Sequence, residues 1–323
     1  MRAMNAMGQR TWARGQPLEL LELPQPEPRE DEVRVRVAVA GVNPVDWKMR
    51  EGGEIRLAAK LLGPPLPFVP GIDFAGTIDA VGARVSGFSL GDRVVGATDF
   101  SRGQRGSYAQ AVLARADQLC KLPDAVSFES AGATPVAGST AWLSLVEIGK
   151  LPQGDASAAV LVLGAAGGVG QFAVQVAKLR GARAIAVCSS RNQELARSLG
   201  ADVALDYGAG EVLEEARKHG PYQVVIDCVG GYSAAACRSL LRAGGRHVMV
   251  SAGKQSVQVL VPPFTSRLVL GRSSPARLRA LVDGIAAGQI RVVIAARFPL
   301  AEAEQATRLS RAGRTAGKII LTP

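Results

Sequence analysis

The sequence predicts an α/β chain in two parts: a doubly wound parallel sheet covered by helices, and a second, mostly antiparallel β domain. Three observations predict this. Residues 33–40, VRVRVAVA, alternate strictly, with Val33, Val35, Val37 and Val39 on one face, as a half-buried strand requires. The strand-like pieces that follow are separated by Gly and Pro rather than by helices. From about residue 128 the rhythm changes to apolar strands alternating with helices of about ten residues or more, the pattern of a parallel sheet buried on both faces. With 323 residues the chain exceeds one ordinary domain. The division predicted is residues 1–127 with 273–323 in the β domain and 128–272 in the parallel one.

Taken in order, FAGTIDAVG, GDRVVGA and GSYAQAVLA continue the first sheet as a twisted antiparallel array or partial barrel. Parallel strands are expected at 160–164, 184–188, 202–206, 224–228, 246–250 and 267–271, with helices between them. A helix near 276–288 and the terminal GKIILTP, strand material again, return the chain to the first sheet. No internal repeat or low-complexity linker interrupts this.

Composition narrows the function. No apolar run approaches the roughly 18 residues that a bilayer span needs, and the N-terminal MRAMNAMGQRTWARG has no apolar signal core. Four isolated cysteines, Cys120, Cys188, Cys228 and Cys237, lack the close pairing of a zinc site or secreted scaffold, so a reducing, cytoplasmic location is expected. The net charge of +10 is spread as single arginines, and with 5% aromatics and no recognisable module nucleic-acid binding is disfavoured. A positive field does suit a polyanionic ligand.

The segment GAAGGVG supplies a site for one. Gly164, Gly167, Gly168 and Gly170 follow a strand and open an amphipathic helix bearing Val169, Phe172, Val176 and Leu179 on one face. Such a turn brings backbone N–H groups and a positive helix terminus to a pyrophosphate, and its last glycine permits close helix–strand packing. Against the G-x-G-x-x-G template, Gly167 and Gly170 hold the second and third places and Ala165 departs at the first. About twenty residues on, where an acid would grip the ribose 2′-hydroxyl of NAD, stand Ser189, Ser190 and Arg191, which suit a 2′-phosphate and hence NADP; the same residues also read as an ordinary helix start.

The catalytic inventory is short. Neither His219 nor His247 has a Cys, Asp or Glu at metal-ligand spacing, so no metal is expected. Without zinc or a histidine acid, simple alcohol oxidation lacks both an alkoxide stabiliser and a proton acceptor, and nucleophilic hydrolysis lacks a base. Hydride transfer to an electron-poor quinone or conjugated carbonyl needs only a few donors to polarise an oxygen, with water supplying the proton.

Together the motifs resemble the zinc-independent quinone oxidoreductases of the medium-chain dehydrogenase/reductase superfamily, the group that includes zeta-crystallin. The matching segments, in family order over nearly the whole chain, are GVNPVDWKMREG, PFVPGIDFAGTIDAVG, GDRVVG, GSYAQ, AGSTAW, GAAGGVGQFAVQVAK, SLGADVALDY, VIDCVGG and GKIIL. Where zinc enzymes carry a cysteine and Gly-His-Glu, this chain reads NPVD and GIDFAG, and a structural-zinc lobe is absent. The family loop usually has alanine at the place of Ala165.

The resemblance implies a Rossmann-type domain for NADPH, a GroES-like catalytic domain, and a cleft between them. It places Asn43 and Asp46 at the substrate, either as donor and neighbour or simply as turn and helix cap. Lys48 matches the enone reductases of the superfamily, and either polarises an enone carbonyl or is solvated. Thr140 is expected near the nicotinamide amide or as a helix cap. Gly167, Gly168 and Val169 should line the pyrophosphate, Ser189, Arg191 and Tyr207 should surround the 2′-phosphate, and Ser251 and Gly253 should flank the nicotinamide ribose. Arg314 and Lys318 carry over as cofactor contacts. The implied activity is NADPH-dependent reduction of a quinone, by hydride or single-electron transfer, in a homodimer joined near 267–271. The alternatives are an NADPH-dependent reductase of α,β-unsaturated carbonyls and a non-catalytic NADPH-binding protein.

Overall fold

The computed structural model describes residues 2–12, 15–51, 57, 61, 66–250, 266–269 and 273–323. The chain forms two compact units, one of residues 1–136, 273–286 and 292–323, the other of 137–272 and 287–291. No helix among the described residues is long and apolar enough to cross a membrane.

The first unit begins with a two-stranded antiparallel sheet, β1 (Ala3–Gly8) against β2 (Glu19–Pro24). Its main sheet is built on β3 (Glu32–Val42), which pairs on one edge with β4 (Asp73–Val81). Its other edge is shared, residues 32–36 pairing with β6 (Ala111–Arg115) and 40–42 with β15 (Lys318–Thr322). Outward from β4 lie β5 (Arg93–Ala97) and β7 (Leu119–Lys121). The opposite end is β14 (Ile294–Pro299), whose pairing with β15 is the one parallel ladder of this sheet among the described residues.

The predicted alternation is present: Val33, Val35 and Val37 are buried beside the exposed Arg36. From Val39 onward every residue of β3 is buried, so the strand delivers Asn43 to the interior. Gly41 allows this: a Cβ there would lie 2.5 Å from the carbonyl oxygen of Gly132 and 2.9 Å from Asp73 Cβ. Buried valines, Phe74 and Ile78 make the core, each worth about 1.5–3 kcal/mol of transfer free energy.

The second unit is a six-stranded parallel sheet in the order β10 (Val203–Asp206), β9 (Arg183–Cys188), β8 (Ala159–Leu163), β11 (Tyr222–Asp227), β12 (Leu241–Met249) and β13 (Ser266–Leu268). All five residues of β8 and all six of β11 are buried, as strands covered on both faces must be. The order reverses between β8 and β11, and a parallel sheet binds ligands at the carboxyl ends beside such a point. His247, on β12, is fully buried; its Nδ1 lies 3.0 Å from Ser266 Oγ, and burial lowers its pKa to about 4.

Candidate functional site

The carboxyl end of β8 opens into the glycine loop. Gly164 has φ +82°, a left-handed conformation costly for other residues. The loop folds back on β9, the N–H groups of Gly164 and Ala165 both donating to Val187 O, at 3.0 and 2.9 Å. Ala165 and Gly170 are buried, while Gly164, Gly167, Gly168 and Val169 keep accessible surface. At Gly170 a Cβ would sit 2.1 Å from Gly164 O and 2.7 Å from Ala165 Cα, so only glycine lets the helix Gly168–Leu179 approach. Gly167 caps that helix with no side-chain bond, and no acid stands in the first turn. The terminus therefore presents N–H groups and positive dipole with no carboxylate of its own in competition, a surface that fits a pyrophosphate.

Two neighbouring strand ends extend the surface. β9 runs into a 3-10 turn of Ser190–Asn192, with Ser189 half-buried and accepting from Asn192 Nδ2 at 3.1 Å. Ser190 and Arg191 are exposed there. β10 is paired so that Asp206 faces Cys188, and Tyr207 N donates to Cys188 O at 3.1 Å, which leaves the Tyr207 side chain 57% exposed. Ser189, Ser190, Arg191 and Tyr207 thus share one pair of strand ends.

Sequence reasoning assigned no role to Asp227, at the end of β11. It is fully buried, its Oδ1 accepts from the N–H groups of Val229 and Gly230 at 2.8 Å each, and burial raises its carboxyl pKa. That turn places Val229 against Gly164, a Cβ on which would lie 2.8 Å from Val229 Cγ2. Ser251 and Gly253 lie outside the described residues. Thr140 is buried within the helix Pro135–Trp142 rather than at its start, so it is not a cap.

In the first unit, Asn43 precedes Pro44, the first residue of the helix Pro44–Glu51. Asp46 caps that helix from inside: its Oδ2 accepts from Asn43 N at 2.8 Å and from Tyr108 OH at 3.0 Å. Its Oδ1 is buried without a partner. Burial drives the Asp46 pKa to about 7; the Asn43 N–H opposes the shift and the charge of Asp73 adds to it. Asn43 Nδ2 donates to Asp73 Oδ2 at 2.9 Å, and Asp73 Oδ1 accepts from Val136 N at 2.9 Å. Burial raises Asp73 as well, against the pull of Lys318. Lys318 Nζ donates to Asn43 Oδ1 at 2.5 Å, to Val42 O at 3.1 Å and to Asp73 Oδ2 at 3.4 Å.

Asn43 and Asp46 are therefore brought together, in company that the sequence did not suggest. Asp73 and Tyr108 stand in the segments GIDFAG and GSYAQ, where no local pattern marks either of them for a role. Lys318, expected at the cofactor, is 3% exposed and faces three acceptors of this cluster. Lys48 stays half-buried, its ammonium 5.6 Å from the Trp47 ring centroid, and Arg314 is exposed on the first unit.

The cluster does not fit a zinc ion. Its side chains offer amide and carboxylate oxygens with no thiolate or imidazole, and the Lys318 ammonium already holds the shared acceptors. No group of three or more His, Cys, Asp or Glu among the described residues could hold a metal.

A parallel sheet with a phosphate-fitting loop, joined in one chain to a GroES-like antiparallel sheet, defines the class of nicotinamide-dependent oxidoreductases. The family models described as "Alcohol dehydrogenase GroES-like domain" and "Zinc-binding dehydrogenase" match residues 29–124 and 199–321. The chain is 32% identical to the chloroplast envelope quinone oxidoreductase homolog of Arabidopsis thaliana, over 99% of this chain and 98% of that one. It is 28% identical to the human mitochondrial NAD(P)H oxidoreductase RTN4IP1, over 87% and 79%. The solved quinone oxidoreductase of Coxiella burnetii superposes over the whole of both chains with a TM-score of 0.89 at 29% identity. The chain belongs to the medium-chain dehydrogenase/reductase superfamily.

Proposed function

We propose that this protein is a zinc-independent oxidoreductase that passes hydride from NADPH to a quinone. The observation that carries the cofactor choice is the convergence of Ser189, Ser190, Arg191 and Tyr207 beside the glycine helix, whose start carries no side-chain cap. The quinone is supported by the names of the relatives and by a donor set without metal chemistry. When bound, the dihydronicotinamide supplies the hydride. The glycine loop binds the pyrophosphate through its N–H groups, and Arg191 neutralises the 2′-phosphate. Asn43 donates the Nδ2 hydrogen that Asp73 does not use to the acceptor's carbonyl oxygen, and water protonates the product. The four free cysteines support a reducing, cytoplasmic setting.

The test is nicotinamide oxidation by the purified protein with a quinone and with a short-chain enone, each with NADPH and NADH. NADPH-selective turnover on the quinone is expected. Turnover on the enone alone would move the reading to an enone reductase and to Lys48, and bound NADPH without turnover would make it a binding protein. Arg191→Ala should raise the KM for NADPH roughly 10- to 100-fold, the worth of a charge-assisted contact, and leave the KM for NADH unchanged. An equal rise for both cofactors would remove Arg191 from the 2′-phosphate site. We also propose a homodimer joined at β13, the end strand of its sheet among the described residues; a monomeric mass by light scattering would refute it.

A further inference from the structure

A buried ammonium is tolerated only where acceptors replace its water, and Lys318 has three for its three protons. The arrangement is a closed triangle: Lys318 donates to Asn43 Oδ1, Asn43 donates through Nδ2 to Asp73 Oδ2, and Asp73 Oδ2 faces Lys318. Each corner is nine-tenths or more buried. A carboxamide is symmetric in shape but not in polarity. Rotated by half a turn, the Asn43 side chain would aim its NH2 at an ammonium and its oxygen at a carboxylate. Two charged neighbours of opposite sign therefore fix which end donates. The ammonium also draws electron density toward Oδ1, which makes the Nδ2 hydrogens more acidic, since bonds in a chain polarise one another in a low dielectric.

We propose that Lys318 is a positioning residue: through Asn43 it sets and sharpens the donor that meets the oxygen of the acceptor. This rests on the reading of Asn43 as that donor. When hydride adds to a quinone, the two electrons leave negative charge on a carbonyl oxygen until water supplies a proton. A polarised Nδ2–H gains most at that moment, so the effect belongs to kcat rather than to cofactor binding.

A double-mutant cycle on quinone turnover separates this role from plain structural support. Lys318→Met should lower kcat roughly tenfold with the KM for NADPH unchanged, and should cost little more in an Asn43→Ala background. Equal losses in both backgrounds would overturn the proposal.

Because Lys318→Met strands the Asp73 carboxylate, a second measurement uses the unaltered protein. The chain has three asparagines, Asn5, Asn43 and Asn192, so 15N-asparagine labelling gives three carboxamide signals, with that of Asn43 identified by its loss in Asn43→Ala. Its nitrogen should resonate downfield of the other two, with one hydrogen strongly shifted by Asp73. A carboxamide at the ordinary position would overturn the proposal. The signal needs no substrate, so absence of turnover on every acceptor would count against the proposed activity while the resonance still decides the Lys318–Asn43 coupling.

Discussion

Gly170→Ala should weaken binding of the proposed dinucleotide by more than about 100-fold in Kd, and lower stability by roughly 1–3 kcal/mol. The added Cβ would stand 2.1 Å from Gly164 O and under 3 Å from Ala165 Cα and C. All three are backbone atoms, so no side-chain rotation relieves the clash and the loop itself must move. That loop is tied to Val187 O by two N–H groups, and moving it displaces the donors proposed to hold the pyrophosphate. Gly167→Ala is the control. Its φ is −74°, and the nearest atom to its Cβ is Gly164 O at 3.3 Å, so it should fold nearly as well while crowding the ligand. Denaturant unfolding and a dinucleotide titration of both variants give the four values. Unchanged NADPH affinity in Gly170→Ala would mean that the nucleotide binds elsewhere.

The second large effect is on stability against pH. Asp46 titrates near 7 in the folded chain and near 3.8 when unfolded. Below pH 3.8 both states hold the proton and the group contributes no slope. Between 3.8 and 7 the folded state keeps a proton that the unfolded state has released, so stability falls as pH rises through this window. The loss is about 1.4 kcal/mol per pH unit, or about 4 kcal/mol in all, and is complete above pH 7. Asp46→Asn keeps an oxygen for Asn43 N and Tyr108 OH but cannot ionise, so it should be more stable than the parent at pH 8 and nearly level with it at pH 4. The difference between the two proteins isolates Asp46 from His247, whose lowered pKa acts in the opposite sense, costing stability as pH falls from 6.5 to about 4. Urea unfolding at four or five pH values measures it, and parallel curves for the two proteins would rule the account out.

What could be read in advance follows physical range. The parallel sheet declared itself because each buried strand is a continuous apolar run, and the glycine loop because its spacing, its strand and its helix are adjacent in sequence. The alternation of β3 was equally local. The Lys318 cluster was not legible, since its contacts to Asn43 and Asp73 span 275 and 245 residues and no pattern near GKIIL tells a surface lysine from a buried one. β12 begins at Leu241, five residues before the predicted strand: Leu241 pairs with Tyr222 and the ladder resumes only at Arg246, while Gly244, at φ +76°, keeps the turn-like conformation that its sequence suggests, so the strand passes it as an irregularity.

The threading of the chain sets an order of completion. β15 pairs with residues 40–42 of β3 and carries Lys318, while the second unit is closed by residue 291. During synthesis, all six parallel strands are therefore made before β14 and β15. Until then one stretch of the β3 edge is unpaired and the Asp73 carboxylate has no counter-ion. The usual sequence, in which the N-terminal body finishes first, is inverted: the unit begun first is the last to be completed, and it waits on the final strand for both its edge and its charge.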